Sequence, residues 1–405
     1  MFRKNCLMCN SSKLNDIINL GMHPFADTFI PKSKIHLSEK VYPLIVQLCK
    51  ICGNIQLKCQ TEPEERYQDY EYSYTSSNSN YSKNYWLEYS KEILKSFSHT
   101  SKLKILEIGS NDGYLLSLLK KMGHNVLGID ASSKMNEIAS RKGIKTKTGI
   151  FNEKLSKIIN KQFGKFDLII ANNVFNHSDD PQSFLNGICN LLKHKGIFAF
   201  ESPYWFNSIK SRKFDQIYHE HVTYPTTKSI NQIISANNMQ ILDILLTPYH
   251  GGSIRYIISN KKNNKILSKV KKFISKETKL GLYSLLFYKK FMKNLNQKKN
   301  IFMKKIYNES IKLKPLICIG AAAKANTFLN FYGLNNKLVN YITDSSNNKI
   351  GKYTPLTRIV VANDKIIKKF KKPNIIFTAW NISDNLKKII FKLNSNCNEL
   401  KPYEN

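Results

Sequence analysis

Tyr218-His219-Glu220-His221 packs a phenol, two imidazoles and a carboxyl into four consecutive residues. An imidazole titrates near working pH, so it can take a proton as free base and return it as acid. A neighbouring carboxylate can orient and polarise that ring, and a phenol can hydrogen-bond an oxygen on which negative charge develops. Such a set suits removal of a proton from a carbon beside a ketone, a task that an easily ionised acceptor such as a thiol hardly poses. The same residues also fit a metal pair at His219 and His221, or a buried hydrogen-bond network. His219 shares a face with His221 only if the segment is a strand, so its role is open.

A second chemistry-bearing set lies near the N-terminus. Cys6-Leu7-Met8-Cys9 and Cys49-Lys50-Ile51-Cys52 form two Cys-x-x-Cys pairs with 39 residues between them. Each pair can set two thiolates on one turn, and Cys6, Cys9, Cys49 and Cys52 together satisfy a closed tetrahedral zinc site of the structural kind. Gly53 supplies the tight backbone after the second pair. Cys59, Cys189, Cys318 and Cys397 are isolated and read as buried or incidental. The stretch from Glu62 to Ser77 that follows is acidic and aromatic, with Tyr70, Tyr72 and Tyr74 at the period of a strand face.

Between these sets runs the pattern of a doubly wound sheet. Leu103-Lys104-Ile105-Leu106-Glu107-Ile108-Gly109-Ser110-Asn111-Asp112-Gly113 reads as strand, glycine turn and helix start. Gly109 and Gly113 permit close backbone approach to a ligand, and Glu107 ends the strand with a carboxyl. A second strand, 125–130, closes on Asp130 about 20 residues further on, where an acid can take ribose hydroxyls or cap the next helix. Strands at 166–173 and 196–201 continue the alternation and place Asn173 and His177 on the rim where ligands bind. The E-x-G-x-x-x-G spacing departs from the dinucleotide G-x-G-x-x-G. It resembles the class I methyltransferases instead, which makes Glu107, Gly109, Asn111, Gly113, Asp130 and Asn173 the candidate contacts to S-adenosylmethionine.

The bulk numbers frame these motifs. The 405 residues, 42% of them hydrophobic, suffice for two or three domains. Without an uninterrupted apolar run or an apolar core after Arg3-Lys4, neither a spanning helix nor a signal peptide is expected, and the reading is cytoplasmic. Lys and Arg number 63 against 29 Asp and Glu, a net charge of +34. Those lysines are dispersed among abundant Asn and Ile rather than gathered in a basic arm, so nucleic acid is disfavoured as partner and an anionic substrate favoured. Residues 261–313 carry apolar positions at helical spacing and predict two long amphipathic helices. Pro315 to Lys324 then reads as strand, small-residue loop and helix, a pattern that can seat a phosphate at the helix N-terminus with Lys324 nearby. Further strands at 339–342 and 374–377 complete a smaller α/β unit. His250-Gly251-Gly252-Ser253-Ile254-Arg255 falls between the two α/β units, where Arg255 can clamp a diphosphate or form an interface ion pair.

These blocks together resemble the sugar C-methyltransferase family, which branches deoxysugars on nucleotide carriers. The likeness runs through both Cys-x-x-Cys pairs, Glu107 to Gly113, Ala171-Asn172-Asn173-Val174, Phe214 to His221, His250 to Arg255, and Ile319-Gly320-Ala321-Ala322-Ala323-Lys324-Ala325-Asn326. The sequence departs from the family at Ala325, where glycine is more typical, at Asn176 before His177, and at Val222-Thr223-Tyr224-Pro225. The resemblance implies an α/β protein in three parts: a zinc-binding module at 1–66, a Rossmann-like methyltransferase domain at 67–245, and a smaller α/β substrate domain at 246–405. It implies methylation at C3 of a 4-keto-deoxysugar on a nucleoside diphosphate, with His221 as base, Glu220 and Tyr218 in support, and Tyr74 entering from the aromatic segment (Tyr72 as fallback). His250, Ser253, Arg255 and Lys324 become the substrate contacts. A monomer or homodimer without a membrane partner is expected.

Overall fold

The computed structural model describes residues 1–67, 75–77, 79–97, 102–211, 213–260 and 266–402. Among them lie three sheets of four, seven and five strands. The first begins with β1 (Leu14–His23), β2 (Tyr42–Cys49) and β3 (Ile55–Leu57), all antiparallel. Leu44, Val46 and Leu48 alternate inward along β2 and are buried, the period-two pattern of a sheet with one covered face.

Helix α1 (Asn80–Leu94) leads into the central sheet. Its strands β4 (Lys104–Ile108), β5 (Asn125–Asp130), β6 (Thr146–Thr148), β7 (Phe166–Asn172) and β8 (Leu192–Pro203) run parallel, with α2 (Tyr114–Lys121) following β4. Leu168, Ile169, Ile170 and Ala171 are buried in succession, as a strand covered on both faces requires. The next strand, β9 (Thr223–Tyr224), leaves this sheet and pairs with β3, Tyr224 opposite Ile55 and Thr223 opposite Gln56. Consequently the backbone just past His221 is hydrogen-bonded into the N-terminal module.

β10 (Gln240–Thr247) and β11 (Ser253–Ser259) then form an antiparallel hairpin, and β11 inserts antiparallel against β8. The order is β10-β11-β8-β7-β4-β5-β6. The expected boundary at 245/246 falls inside this hairpin, whose β11 belongs to the central sheet. Strand order reverses between β4 and β7, so the ligand crevice opens at their carboxyl ends.

Helices α3 (Ser268–Leu280) and α4 (Leu285–Ile311) match the two amphipathic helices expected after residue 261. Gly281, at φ 91°, ends the first, and the Ser284 hydroxyl caps the second by accepting from the Phe287 amide. The apolar face of α4 (Leu295, Phe302, Ile306) joins Ile18 and Val46 of the N-terminal sheet in one core with Phe328 and Leu329 beyond it. Those last two lie on α5 (Ala323–Tyr332), which follows β12 (Leu316–Ile319). β13 (Tyr341–Thr343), β14 (Val361–Ala362), β15 (Asn374–Phe377) and β16 (Asn398–Glu399) complete a parallel sheet of order β14-β13-β12-β15-β16. Among the described residues no helix is long and apolar enough to cross a membrane.

Candidate active site

One cavity of about 1020 Å³ joins the central crevice to the loops of the C-terminal sheet. On the central side it is lined by Glu107, Gly109, Asn111, Asp130 and Asn173. Gly109 sits at φ 72°, and a Cβ there would lie 2.2 Å from Val174 Cγ2, so only glycine fits. Asp130 accepts from the Asn111 amide at 2.8 Å on Oδ2 and from the Ser132 amide at 2.9 Å on Oδ1. Burial raises its carboxyl, and those two donors oppose the shift. Glu107 is also buried, and with Asp112 and Asp130 near it the carboxyl is held well above the usual range. Its Oε2 is buried with no hydrogen-bond partner among the described residues. A crevice of buried acids with an orphaned oxygen fits a cationic donor carrying a ribose, so these residues would hold S-adenosylmethionine. Gly113 corrects the expectation: it does not line the cavity, and a Cβ there would meet Ala139 Cβ at 2.9 Å. Its freedom serves helix packing.

Tyr218, Glu220 and His221 line the same cavity, with His177 and His250. His221 Nδ1 lies 2.9 Å from the Gln216 carbonyl oxygen, and its Nε2 lies 2.7 Å from the Tyr218 hydroxyl. A carbonyl only accepts, so Nδ1 carries the ring proton and Nε2 is a bare base receiving the phenol O–H. Burial pushes His221 down to about 4, the Gln216 bond acting in the opposite sense. His177 sets its ring centre 5.1 Å away, tilted by 56°, and is held well below the histidine range by burial and then by His221. Glu220 Oε1 accepts from the amides of Ala26 at 3.1 Å and Asp27 at 3.2 Å, in the N-terminal module. Burial raises its carboxyl to about 7.

His219 is buried and faces away from the cavity, edge-on to Phe25 and Tyr42 at 5.9 and 5.8 Å. It is packing for the module, which removes the His219–His221 metal pair. Tyr72 and Tyr74 lie outside the described residues. Gln216 on the cavity wall, and Asp215 and Trp380, which neighbour the wall residue Lys324, carried no signal of their own in the sequence. Gln216 acts through its carbonyl, which any residue type offers, while Asp215 and Trp380 bond each other at 2.5 Å across 165 residues.

The four cysteines of the two pairs meet as expected. Sγ of Cys6 is 3.5 Å from that of Cys52, Cys9 is 3.6 Å from Cys49, and all four sulfurs lie within 4.8 Å of one another. Zinc–sulfur bonds of ~2.3 Å at tetrahedral angles ask for sulfur separations of this size. Among the described residues this is the grouping able to hold a metal.

Family models match three successive stretches of the chain. A zinc binding domain model matches residues 6–67, a methyltransferase domain model 81–244, and a C-methyltransferase C-terminal domain model 248–396. The C-methyltransferase NovU of Streptomyces niveus is 23% identical over 394 residues, covering 95% of this chain and 92% of that protein. The chain is an S-adenosylmethionine-dependent methyltransferase, similar over nearly its whole length to this C-methyltransferase. A ubiquinone biosynthesis O-methyltransferase of Pelagibacter ubique is 34% identical over 118 residues, 27% of this chain and 49% of that protein. Among solved structures, an S-adenosylmethionine-dependent methyltransferase from Clostridium acetobutylicum aligns with 46% of this chain and 94% of its own, at 18% identity and a TM-score of 0.36.

The substrate contacts expected of the methyltransferase divide. Lys324 and His250 line the cavity. Burial lowers Lys324 to about 8, against the nearby Asp215 carboxylate, and its ammonium sits 4.6 Å over the Trp380 ring beside Asn381 Oδ1. Ser253 and Arg255 are corrections. Ser253 is buried off the cavity and donates to the Tyr249 carbonyl at 3.0 Å. Arg255 is 1% exposed, donates Nε to Glu201 at 3.0 Å and an amino group to Glu92 at 2.6 Å, and lies 4.1 Å over Tyr89. It ties α1 to the central sheet. Arg255→Ala strands the buried Glu201 charge, so unfolding stability should fall by about 3–5 kcal/mol. Substrate KM should stay within about twofold, because Arg255 does not line the cavity. Urea melts and initial rates on the soluble variant check both; a large KM change without destabilisation would restore the clamp.

The buried rings also set a pH dependence. Burial takes His23, His219 and His221 to about 4 and His250 to about 3, with His177 also depressed. Folded values below the unfolded ~6.5 give stability that is present above that pH and lost as pH falls through the folded values. Glu220 works the other way, since its raised value gives stability present below about 4.5 and lost as pH climbs through about 7. The raised carboxyls of Glu107, Asp130 and Asp215 act in the same sense as Glu220, and the five histidines outnumber these four. The urea midpoint is therefore expected to drop between pH ~6.5 and ~4, and an unchanged midpoint over that span would mean the rings are not held neutral.

Proposed function

We propose that this methyltransferase adds a methyl branch at C3 of a 4-keto-deoxysugar carried on a nucleoside diphosphate, through an enolate. The observation that carries the reading is the Gln216–His221–Tyr218 chain on the wall of the cavity that the donor-holding acids also line. The Gln216 carbonyl fixes the tautomer, so His221 Nε2 takes the C3 proton. Tyr218 turns its single O–H from Nε2 to the C4 oxygen, which frees the nitrogen lone pair for the C3 proton and stabilises the charge that develops. Glu220, anchored on two backbone amides, meets a sugar hydroxyl or holds the histidine segment in place. S-Adenosylmethionine, when bound, supplies an electrophilic methyl group. The sequence resemblance supports a nucleotide sugar as acceptor, and Lys324 and Lys349 on the cavity wall suit its diphosphate.

The test is a set of 4-keto nucleotide sugars incubated with donor labelled in its methyl group, with products read by mass spectrometry and NMR. A labelled methyl on C3 and solvent deuterium entering C3 without donor are expected. A methyl on oxygen, or no exchange at C3, would overturn the proposal.

A further inference from the structure

The C-terminal α/β unit grips the backbone behind His221 at points that lie off the cavity. Gln216, whose carbonyl holds the His221 ring proton, ends the short turn Phe214–Gln216. Residues on both sides of it are pinned from the other unit. The Trp380 indole N–H donates to Asp215 Oδ2 at 2.5 Å across 165 residues. The Thr327 hydroxyl donates to the Ile217 carbonyl at 2.9 Å across 110 residues. The Phe214 ring centre lies 4.7 Å from that of Phe331. Thr327 and Phe331 sit on α5, and Trp380 opens the turn Trp380–Ile382 beyond β15. None of Asp215, Thr327 and Trp380 lines the cavity, so any effect they have on the reaction passes through other groups.

These anchors have little freedom of their own. Asp215 is buried, and its other oxygen has no hydrogen-bond partner among the described residues. Burial raises its carboxyl to about 6, against the Lys324 ammonium and then the indole bond. The indole is held in turn, with the Lys213 ammonium 3.6 Å and that of Lys324 4.6 Å from its ring centre. A Cβ on Gly251, at φ 85°, would stand 2.4 Å from the same ring, which fills the space the glycine leaves. The Gln216 side chain is tied as well, because its Nε2 donates to the His250 carbonyl at 3.0 Å. The carbonyl fixed between these anchors meets His221 Nδ1 at 2.9 Å. A carbonyl only accepts, so its placement decides which ring nitrogen keeps the proton.

We propose that Trp380 and Thr327 are positioning residues: through them the C-terminal α/β unit fixes the Gln216 carbonyl and keeps His221 in the tautomer whose Nε2 is a bare base. This rests on His221 as the base in the function proposed above. Loss of either donor frees the turn to shift, and a ring that loses its carbonyl partner populates both tautomers. The other tautomer carries its proton on Nε2 and has no lone pair there for the acceptor's proton.

Long-range proton–nitrogen NMR on the zinc-loaded full chain, isotope-labelled at its histidine nitrogens, reads the tautomer without substrate. The signals missing from His221→Ala identify that ring. The unaltered protein should show His221 as the Nδ1–H form alone, and an Nε2–H form there would overturn the proposal outright. Trp380→Phe, which keeps an aromatic ring and removes the N–H, and Thr327→Val should each give a mixture of the two forms. The same variants should slow deuterium exchange at the acceptor carbon by on the order of tenfold, about the worth of one hydrogen bond. Asp215→Asn, which still offers the indole an oxygen, should keep the single form that Asp215→Ala loses. A single Nδ1–H form in one folded variant removes that residue from the role, and in both it overturns the proposal, whatever happens to the rate. Mixed tautomers with exchange unchanged would instead remove His221 as the base and leave the positioning role standing. Should one of the two variants fail to fold, the other decides.

Discussion

Replacing Cys52 with serine is expected to abolish zinc retention and, with it, methyl transfer, although no cysteine lines the cavity. Structural zinc sites contribute about 10–16 kcal/mol of apparent binding free energy, more than the whole stability of many domains. Here the module that zinc closes is also the scaffold of the base. The Gly53 amide donates to the Cys49 carbonyl at 3.0 Å, and the Gly53 carbonyl accepts from the Thr226 hydroxyl at 3.1 Å. β3 begins two residues later and holds β9 in register, while the Leu57 amide donates to the Val222 carbonyl at 2.9 Å. Glu220 hangs from the amides of Ala26 and Asp27 in the same module. Without the metal, the segment that carries Tyr218 to His221 loses its anchors on both sides. Metal analysis should find little zinc in the variant, and turnover should fall by about 10²-fold or more, since sub-ångström placement of a base governs rate. Donor affinity should change much less, because Glu107 and Asp130 sit on the central sheet. Zinc loss with full turnover would show that the module and the base are independent.

What the sequence disclosed about this molecule follows from how far apart the interacting groups lie. Zinc ligation needs particular side chains at short local spacing, so the cysteine pairs were legible without any fold. Gly109 and Asp130 were legible for a related reason: a strand, a left-handed turn and a strand-end acid recur at nearly fixed intervals. The 27-residue α4 announced itself through apolar periodicity. Arg255 was not legible, since its partners Glu92 and Glu201 stand 163 and 54 residues away and only the assembled sheet brings them together. The same holds for Glu220, whose amide donors lie 194 and 193 residues upstream. Gly113 misled because a glycine with positive φ looks the same whether it makes room for a ligand or, as here, for Ala139. β11 escaped the domain boundary because an antiparallel strand completing a parallel sheet leaves no local mark.

His221→Ala should lower methyl transfer by about 10²–10⁴-fold, the range over which a positioned general base acts. The same variant should lose deuterium exchange at the acceptor carbon while binding S-adenosylmethionine normally. Exchange is the sharper readout, because it reports proton removal before any methyl moves. Tyr218→Phe separates the two roles that the 2.7 Å contact combines. If the phenol stabilises the enolate oxygen, its loss should cost about 10²–10³-fold in kcat, as for one oxyanion donor, with KM little moved. The pH profile gives an independent check on the base. Burial sets His221 at about 4, so the acid limb of kcat/KM should lie far below the 6.5 of an exposed imidazole. The limb must be recorded in brief pH jumps, since the buried histidines also weaken the fold as pH falls. An acid limb at 6.5 in the unaltered enzyme, or exchange that survives His221→Ala, would move the base to another residue. His177, whose ring centre lies 5.1 Å from that of His221, would then be the next to replace.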